Sequence, residues 1–341
     1  MNEGAPIASM ADAASTPDGL DAAGTADPPD ELHAAGTADG LDKLHGADAA
    51  DAPDRRRAAM SGVRALLLDM DGVVVLKGAP LPGAAEAIRA LSRRGTPFRV
   101  LTNSSLWSRD SLSGLLAKAG VEIEPAAIVT ALSASAALTR RRWPGRPLYV
   151  LAAPDALREF DGQRLLTDEE AAAGGPASAV VVGDAGAGFT WSRLNAAFRL
   201  VRGGARLVAM HRNPWWLTPD GVTLDSGAFV RALEFATGRR AFLVGKPAGA
   251  FFEAACASLG VAGGSGDRGR DAVLMVGDDL RSDVAGAKRV GLRAAFVLSG
   301  KHGPADLAAA RARGASLLPD VVAGSLAEVV AALAEVVAAL D

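Results

Sequence analysis

Two aspartates stand directly behind a run of leucines in the stretch LLLDMDGVVV, residues 66–75. Asp69 and Asp71 are two residues apart, so in an extended chain their side chains point to the same side. Asp278, in MVGDDLRSD, is a third acidic residue that follows an apolar run. Carboxylates are the hard oxygen ligands that Mg²⁺ prefers, and a bound cation relieves the repulsion between crowded acids. The three residues therefore predict a magnesium site.

A calcium-binding loop is the obvious alternative for DMDG. That loop requires a further acidic or amide ligand at its fifth position and glycine at its sixth. Counted from Asp69, these positions hold Val73 and Val74, which excludes an EF-hand.

The elements that would position these acids alternate in type along the chain. From residue 63 onward, short β-branched runs alternate with helical stretches, which predicts an α/β fold with a parallel sheet covered on both faces. A second alternating set (RPLYVL, SAVVVG and ARLVAM) predicts another α/β unit, inserted near residues 130–240. The predicted core strands are 64–69, 97–101, 242–245, 272–276 and 293–297.

Polar residues follow four of these core strands at the point where each strand ends. In open α/β sheets, ligands bind beyond the carboxyl ends of the strands, so these residues would share one site. Each residue alone is also typical of a turn or a helix cap, but four strand ends together favour a site. The residues are Asp69 and Asp71, then Thr102, Asn103 and Ser104, then Lys246, and finally Asp278, Asp279 and Asp283.

The first 60 residues differ from the rest of the chain in composition. They contain 12 acidic and 4 basic residues, whereas the remainder contains 27 acidic and 32 basic residues. Ala, Asp, Gly and Pro dominate and AAGTAD occurs twice, so we expect a disordered acidic tail at 1–60. An acidic tail that docks on the basic body is one alternative, and a mis-assigned start with translation beginning at Met60 is another.

The composition of the whole chain limits where the protein would act and what it would bind. It has 341 residues, 49% of them hydrophobic, and its formal net charge of −3 gives no reason to expect nucleic acid. Cys256 is the only cysteine, and no basic segment followed by an apolar one opens the sequence. No apolar run approaches the roughly 20 residues of a membrane helix. We therefore expect a cytoplasmic protein with neither nucleic-acid nor membrane partners.

The repeat LAEVVAA closes the sequence, at 326–332 and again at 333–339. Its seven-residue period puts Leu and Val on one helix face. This pattern is more typical of a final helix packed on the core than of a coiled-coil arm.

The order of the polar motifs resembles the haloacid dehalogenase superfamily of aspartate-nucleophile phosphatases. The first motif of that superfamily, DxDG(T/V), is similar to Asp69–Val73, and its second, a Ser or Thr that ends the next strand, is similar to Thr102. Its basic third motif is similar to Lys246, and its acidic fourth motif is similar to Asp278 with Asp283. The resemblance implies a Rossmann-like, doubly wound core and a Mg²⁺ cofactor.

The insert between the second and third motifs resembles class IIA of the superfamily, which has a C2-type α/β cap and includes the p-nitrophenyl phosphatase type enzymes. The domains expected on this basis are a tail at 1–60, a core at 61–130 and 241–341, and a cap at 131–240. VLTNSS and VGKPAGAFFEAA most resemble the subgroup with the phospholysine phosphohistidine inorganic pyrophosphate phosphatase. The resemblance implies hydrolysis of a small phosphorylated metabolite (a phosphate monoester, a phosphoramidate or a pyrophosphate) through an aspartyl-phosphate.

The acids at the first strand would divide the chemistry between them. Asp69 would attack phosphorus, because a carboxylate is already ionised at neutral pH. Asp71 would protonate the leaving oxygen and later take a proton from the attacking water. The resemblance implies that the main-chain carbonyl of Asp71 also ligates the metal, and that Asp278 completes the metal site. Dehalogenases of this fold lack the second acid, so its presence favours phosphoryl transfer.

Further residues would support this chemistry. Asp279 or Asp283 would orient Lys246 or a metal-bound water. Thr102 and the amides around Asn103 are able to hold phosphoryl oxygens, and Lys246 supplies positive charge to the same group. The predicted substrate-binding residues are Thr102, Asn103, Ser104, Lys246, His211 and Asn213.

A polar and aromatic cluster follows the cap strand ARLVAM and consists of His211, Arg212, Asn213, Trp215 and Trp216. Such residues suit the leaving group of a phosphorylated metabolite or nucleotide. The alternative to substrate binding is that both tryptophans pack within the cap or at an oligomer contact. A homodimer through the cap is the expected assembly.

Two other functions fit parts of the sequence. A phosphotransferase or phosphomutase shares the DxDG chemistry, but a phosphomutase usually carries a helical cap after the first motif, and here only about 30 residues separate Asp71 from Thr102. A non-enzymatic nucleotide-binding module would use VVVGDAGAG at 180–188, which loosely resembles a dinucleotide loop. That loop lacks the expected spacing and falls in the inserted unit.

Overall fold

The computed structural model describes residues 57–218, 221–261, 266, 269–314 and 317–338. The predicted acidic tail lies outside the described residues except for 57–60. Within the part of the chain that the structure describes, no helix is both long and apolar enough to cross a membrane.

Strands and helices alternate through most of the described chain. The strands are Ala65–Asp69 (β1), Val75–Leu76 (β2), Ala79–Pro80 (β3), Phe98–Thr102 (β4), Ile128–Thr130 (β5), Leu148–Leu151 (β6), Ala179–Val182 (β7), Arg206–Ala209 (β8), Trp215–Thr218 (β9), Gly221–Leu224 (β10), Phe242–Leu243 (β11), Val273–Gly277 (β12), Arg293–Val297 (β13) and Val321–Ala323 (β14). The α-helices are Ala84–Arg93 (α1), Arg109–Lys118 (α2), Ala131–Arg142 (α3), Asp168–Ala172 (α4), Trp191–Arg202 (α5), Ser226–Thr237 (α6), Gly249–Ser258 (α7), Ala285–Arg289 (α8), Pro304–Ala312 (α9) and Leu326–Ala338 (α10). Short 3₁₀ turns are Pro125–Ala127, Ala156–Phe160, Gly186–Gly188 and Arg270–Ala272, and a π-helical turn at Leu280–Val284 precedes α8.

The core is a six-stranded parallel sheet in the order β14-β13-β12-β1-β4-β5. From β1 the chain first builds the sheet towards β5 and later returns to add β12, β13 and β14 on the other side. The strand order therefore reverses between β1 and β12, and in such sheets the crevice at the reversal holds the ligand. The predicted Rossmann-like, doubly wound core is confirmed.

The central strand β1 is apolar along its length because helices cover both faces of the sheet. Every residue of β1 is buried. Leu66 and Leu68 pack with Ile88 of α1 on one face, whereas Leu67 packs with Phe252 of α7 on the other. The apolar run ends at Asp69, where the strand reaches the crevice.

The C-terminal repeat forms helix α10, which packs against α1. Five of its Leu and Val side chains are buried, whereas Val337 is 44% exposed, and the prediction of a helix packed on the core is confirmed. The buried residues are Leu326, Val329, Val330, Leu333 and Val336.

A second, four-stranded parallel sheet has the order β11-β8-β7-β6. Side chains of α3 cover one of its faces, and those of α5 and α6 cover the other. The inserted α/β cap is thereby confirmed as a fold element, while its boundaries at 131 and 240 remain a prediction.

The prediction that 242–245 is a core strand was wrong. Phe242 pairs with Val208 and Leu243 pairs with Ala209, so β11 is the edge strand of the cap sheet. An apolar run indicates a buried strand but does not specify the sheet that it joins. Lys246 therefore enters the core site from a strand of the cap.

Candidate active site

The carboxyl ends of β1, β4 and β12 meet where the strand order of the core sheet reverses. Asp69 is the last residue of β1, Thr102 is the last residue of β4, and Asp278 directly follows β12. Lys246 joins them from the loop after β11. The structure thus brings the four predicted motifs together at one end of the core sheet.

Lys246 is buried between two carboxylates. Its Nζ lies 2.6 Å from Oδ1 of Asp69 and 2.8 Å from Oδ1 of Asp283. Burial alone would lower the pKa of this amine, but the charges of Asp283 and Asp69 outweigh it and raise the pKa above the usual value. The ammonium therefore stays charged in the interior.

The acids outnumber this cation. Carboxylate oxygens of Asp69, Asp278 and Asp283 all lie within 4.8 Å of one another, and all three residues are buried. Burial raises the pKa of Asp69 to about 7, with Lys246 opposing the rise and Asp278 adding to it. Burial also raises the pKa values of Asp278 and Asp283, and the neighbouring carboxylates add to the rise.

Three buried carboxylates with one ammonium form a donor set that fits a hard divalent cation such as Mg²⁺. Because burial raises the pKa of Asp69 to about 7, the ionised form that the predicted nucleophile needs is less favoured here than in water. A cation beside these oxygens would favour the ionised form.

Asp71 lies outside this cluster. Asp71 is exposed, and no hydrogen bond to its carboxylate is found among the described residues. Although the side chain is accessible, the protein around it removes much of its water, and this desolvation raises its pKa while Lys246 opposes the rise. A raised pKa suits a group that must donate a proton near neutral pH.

The loop after β13 holds the acids in place. The backbone N–H of Lys301 donates to Oδ2 of Asp278 at 2.6 Å, and the Ser299 hydroxyl donates to the carbonyl of Gly72 at 2.7 Å. A Cβ at Gly72 or at Gly300 would overlap the Asp278 carboxylate, and Gly72 has φ +81°. Sequence reasoning missed this loop, because Ser, Gly and Lys after a strand are ordinary turn residues.

The two further acids of the fourth motif have different partners. Asp279 accepts from the N–H groups of Arg281 and Ser282 at 2.8 and 2.9 Å and lies 3.1 Å from Nζ of Lys301. Burial would raise its pKa, but Lys301, the nearby His302 and these amides lower it well below the usual range. Asp283 instead faces Lys246. Of the two predicted alternatives, the geometry favours Asp283 for orienting Lys246.

The segment after β4 contacts Lys246 through Asn103. Its Oδ1 accepts from the Lys246 N–H at 2.8 Å, and its Nδ2 donates to the Lys246 carbonyl at 3.1 Å. The buried Thr102 hydroxyl accepts from the N–H of Ser104 at 3.0 Å. Phosphate contacts of Thr102, Asn103 and Ser104 remain predictions.

His211 does not lie at an open surface. It is 2% exposed, and its Nε2 lies 3.2 Å from the Ser105 hydroxyl and 3.1 Å from the Ser226 hydroxyl. Its Nδ1 accepts from the N–H of Asn213 at 3.4 Å. Burial lowers the pKa of His211, against the charges of Asp225 and Asp184. The predicted contact of His211 with substrate stays a prediction; in this structure the ring ties the cap loop to Ser105 of the core.

Among the other residues of the cap cluster, Arg212 makes structural contacts, whereas Asn213 is exposed. Arg212 donates to Glu234 Oε1 at 2.6 Å and to the Ala241 carbonyl, which ties the cap loop to α6 and to β11. Asn213 is exposed. Nζ of Lys301 lies 5.9 Å from the ring centroid of Trp215. The hairpin of β9 and β10 therefore lies beside the loop that holds Asp278.

The first glycine of VVVGDAGAG, Gly183, has a packing explanation. Gly183 follows β7, and a Cβ there would overlap Met210 and crowd Ser105. The glycine thus permits close approach between the cap sheet and the core segment after β4, and no phosphate loop is required to explain it.

A Rossmann-like core, an α/β cap and a buried Asp-Lys-Asp cluster at the strand ends together define a hydrolase of the haloacid dehalogenase type. The chain matches the family described as Haloacid dehalogenase-like hydrolase over residues 66–165 and the family described as HAD-hydrolase-like over residues 243–329. It belongs to the haloacid dehalogenase-like hydrolases.

Two curated relatives illustrate the similarity. The chain is 35% identical over 249 residues to the Haloacid dehalogenase-like hydrolase domain-containing protein 2 of Mus musculus, covering 73% of this chain and 89% of the relative. It is 32% identical over 253 residues to the phospholysine phosphohistidine inorganic pyrophosphate phosphatase of Rattus norvegicus, covering 72% of this chain and 87% of the relative.

Solved structures of phosphatases share the whole architecture. The 4-nitrophenylphosphatase of Thermotoga maritima has a TM-score of 0.70 at 27% identity and matches 81% of this chain and 99% of its own. The glycerol phosphate phosphatase Rv1692 of Mycobacterium tuberculosis, in complex with magnesium, has a TM-score of 0.69 at 27% identity, with 80% and 77% covered. The predicted superfamily, its class IIA cap and an enzyme of the phosphatase type are confirmed.

Proposed function

We propose that this chain is a Mg²⁺-dependent phosphatase that hydrolyses a small phosphorylated metabolite through an aspartyl-phosphate on Asp69. The observation that carries the proposal is the placement of the Lys246 ammonium 2.6 Å from Asp69, with the exposed Asp71 two residues further along the chain. A nucleophile, a positive charge for phosphoryl oxygens and a proton carrier thus lie at one strand end.

In the first step, an oxygen of Asp69 forms a bond to phosphorus while the bond from phosphorus to the leaving oxygen breaks. Asp71 in its protonated form gives its proton to that leaving oxygen. Lys246 stabilises the negative charge on the phosphoryl oxygens throughout, because its own ammonium is fixed between two carboxylates.

In the second step, water attacks the phosphorus of the aspartyl-phosphate. Asp71, now a carboxylate, takes the proton from that water, and the bond from phosphorus to Asp69 breaks. The products are inorganic phosphate, a free Asp69 carboxylate and a protonated Asp71 ready for the next cycle.

Asp69 and Asp278, with Asp283 adjacent, are the side chains that would hold Mg²⁺. When bound, the ion would neutralise charge on the transferring group and offset the repulsion among the acids. The magnesium in the mycobacterial relative supports this choice of ion.

The names of the relatives support the substrate class. They include phosphatases of an aryl phosphate, of glycerol phosphate, and of phosphorus–nitrogen and pyrophosphate bonds. A screen of phosphate monoesters, phosphoramidates and pyrophosphate against the Mg²⁺-loaded protein, with release of inorganic phosphate as the readout, tests the class and selects the substrate.

Asp69→Asn is the decisive variant. It is expected to fold and yet to lose more than about 1,000-fold in kcat towards p-nitrophenyl phosphate, because an amide is a poor nucleophile. Asp161→Asn, at an exposed site in the cap, is the matched control and is expected to retain full turnover. Turnover of Asp69→Asn within about tenfold of the parent would refute a nucleophilic Asp69.

The expected homodimer through the cap remains a prediction. Contiguous exposed apolar patches mark interfaces, and several large apolar side chains of the cap are exposed. They include Trp191, Leu224, Phe235 and Phe242. Light scattering on the parent and on Phe235→Glu distinguishes a dimer through this surface from a monomer.

A further inference from the structure

We infer that Asn103 is a positioning residue for Lys246 and that its amide fastens the Lys246 backbone to the core. The inference deepens the proposed function and rests on it, since it gives Asn103 a role in the same phosphoryl site. It replaces the predicted substrate contact of Asn103 with a contact to the protein.

The amide of Asn103 forms a two-point clamp. Its Oδ1 accepts from the Lys246 N–H at 2.8 Å, and its Nδ2 donates to the Lys246 carbonyl at 3.1 Å. Only one orientation of the amide satisfies both bonds, because the oxygen must face an N–H and the nitrogen must face a carbonyl. The clamp therefore fixes the main chain on both sides of the Lys246 side chain.

Lys246 needs such a clamp because its chain arrives from the cap sheet. The N–H of Val244 donates to the Ala209 carbonyl at 3.0 Å, and the N–H of Gly245 donates to the Met210 carbonyl at 2.8 Å. Both acceptors belong to β8 or follow it directly. Lys246 is the next residue, and its N–H bonds to the core instead. The backbone therefore changes from hydrogen bonds with the cap to hydrogen bonds with the core between Gly245 and Lys246.

Gly245 permits this transfer. A Cβ at Gly245 would lie 2.5 Å from Oδ1 of Asn103 and 2.7 Å from the Met210 carbonyl, both closer than real contacts of that atom. Glycine therefore lets the cap strand and the Asn103 amide approach the same stretch of backbone from two sides.

The consequence concerns the two short contacts of the Lys246 ammonium. Its distances of 2.6 Å to Asp69 and 2.8 Å to Asp283 are set by the position of its backbone. Without the clamp, that backbone would follow β11 and any displacement of the cap. A displacement of about 1 Å at a reacting group is enough to lower the rate about 100-fold.

Amide hydrogen exchange tests the clamp without reference to activity. In Asn103→Ala, the Lys246 amide is expected to exchange at least about tenfold faster than in the parent, while the Gly245 amide keeps its protection. Unchanged exchange at Lys246 would overturn the inference. Faster exchange at both residues would also overturn it, because the clamp would then serve only to dock the cap.

Kinetics provide the second measurement. Asn103→Ala is expected to lower kcat/KM for p-nitrophenyl phosphate about 100-fold. In the double variant, Asn103→Ala is expected to lower the kcat/KM of Lys246→Met by less than about threefold, because Asn103 acts through Lys246. Effects that multiply in the double variant would show that Asn103 contacts substrate directly and would overturn the inference.

Two further variants complete the design. Asn103→Asp keeps the acceptor for the Lys246 N–H and loses the donor, so it tests the clamp if Asn103→Ala does not fold; a loss of about tenfold is expected. Asn195→Ala on α5 is the matched control and should leave exchange and turnover unchanged. Wild-type turnover in Asn103→Asp would count against the clamp.

The failure of this inference is distinct from failure of the proposed function. Should Asp69→Asn stay active, the aspartyl-phosphate mechanism is wrong whatever the exchange data show. Should Asp69→Asn be inert while both Asn103 variants exchange and turn over like the parent, only the positioning role is wrong.

Discussion

The core side of the site and the loop after β8 differ in how firmly their polar residues are held. At the core, Asp69, Lys246 and Asp283 are buried and joined by contacts of 2.6 and 2.8 Å. In the cap, by contrast, Asn213 of the loop after β8 is exposed and Trp216 of β9 is 38% exposed, although His211 of the same loop is buried. Burial and fixed partners hold the nucleophile and its ammonium in one relative position, whereas groups that adapt to a leaving group do not need them.

The same comparison predicts two kinds of mutational effect. A change at the core should remove turnover for every substrate, since every substrate presents the same phosphoryl group. A change in the cap loop should alter the preference among leaving groups and leave the common step nearly intact. Variants in both regions therefore test whether the core performs the common chemical step and the cap loop selects the leaving group.

Removal of the metal should have the largest effect. Chelation is expected to abolish turnover, and Mg²⁺ at 100 times its Kd should add about 2.7 kcal/mol to the free energy of unfolding of the parent. Asp278→Asn should lose this stabilisation, because it removes a charge from the ligand set, while Asp161→Asn should keep it. Thermal or urea unfolding with and without Mg²⁺ checks both. Equal stabilisation of Asp278→Asn would place the ion elsewhere.

Asp71→Asn should separate the two steps of the reaction. Asparagine keeps the main-chain carbonyl but neither donates a proton to the leaving group nor accepts one from water. Because p-nitrophenolate leaves without a proton, the first step should survive in part while hydrolysis of the aspartyl-phosphate slows by about 100-fold or more. Stopped-flow traces should then show a burst approaching one equivalent per site.

An alkyl phosphate provides the contrast for Asp71→Asn. Its alkoxide does need the proton, so the first step should slow as well and no burst should appear. Linear release from p-nitrophenyl phosphate, with no phosphoprotein trapped by acid, would instead favour direct attack by water with both aspartates as ligands.

The core side of the site was more predictable from the sequence than the cap side, for a physical reason. Asp69, Thr102 and Asp278 each end an apolar run of a parallel sheet, so their shared location follows from the chain direction of the strands. Lys246 was placed correctly, although the strand before it was assigned to the wrong sheet.

Residues of the cap loop could not be placed from sequence in the same way. His211 follows a strand and has a functional side chain, yet its burial depends on Ser105 and Ser226, which are distant in sequence. The supporting loop at Ser299–Lys301 was missed because Ser, Gly and Lys are ordinary turn residues, and because the contact of Lys301 with Asp278 is made by a backbone N–H.

Trp216→Ala should have a smaller, substrate-dependent effect. Loss of an exposed aromatic surface in the cap hairpin is expected to lower kcat/KM for an aryl phosphate by up to about tenfold and to leave that for acetyl phosphate within about twofold. Trp143→Ala is the matched control, because Trp143 lies with Ser178 and Arg206, at the opposite ends of the cap strands. An equal loss for both substrates would contradict a role in leaving-group choice.

His211→Leu should affect stability rather than chemistry, and the effect should depend on pH. Above pH 6.5 the substitution is expected to cost about 1–3 kcal/mol of unfolding free energy, because it leaves the buried hydroxyls of Ser105 and Ser226 without their ring partner.

Burial lowers the pKa of His211 in the folded protein, against the opposing charges of Asp225 and Asp184. As the pH falls below 6.5, His211 therefore takes up a proton in the unfolded chain but not in the folded protein. The stability of the parent declines as a result. The variant lacks this proton, so its deficit should shrink between pH 7.5 and 5.5 in urea unfolding. The carboxyl of Asp225, whose pKa burial raises against the charge of His211, works in the opposite direction. A deficit that stays constant across this pH range would show that the ring takes up its proton equally in both states, and the buried, neutral link between cap and core would have to be abandoned.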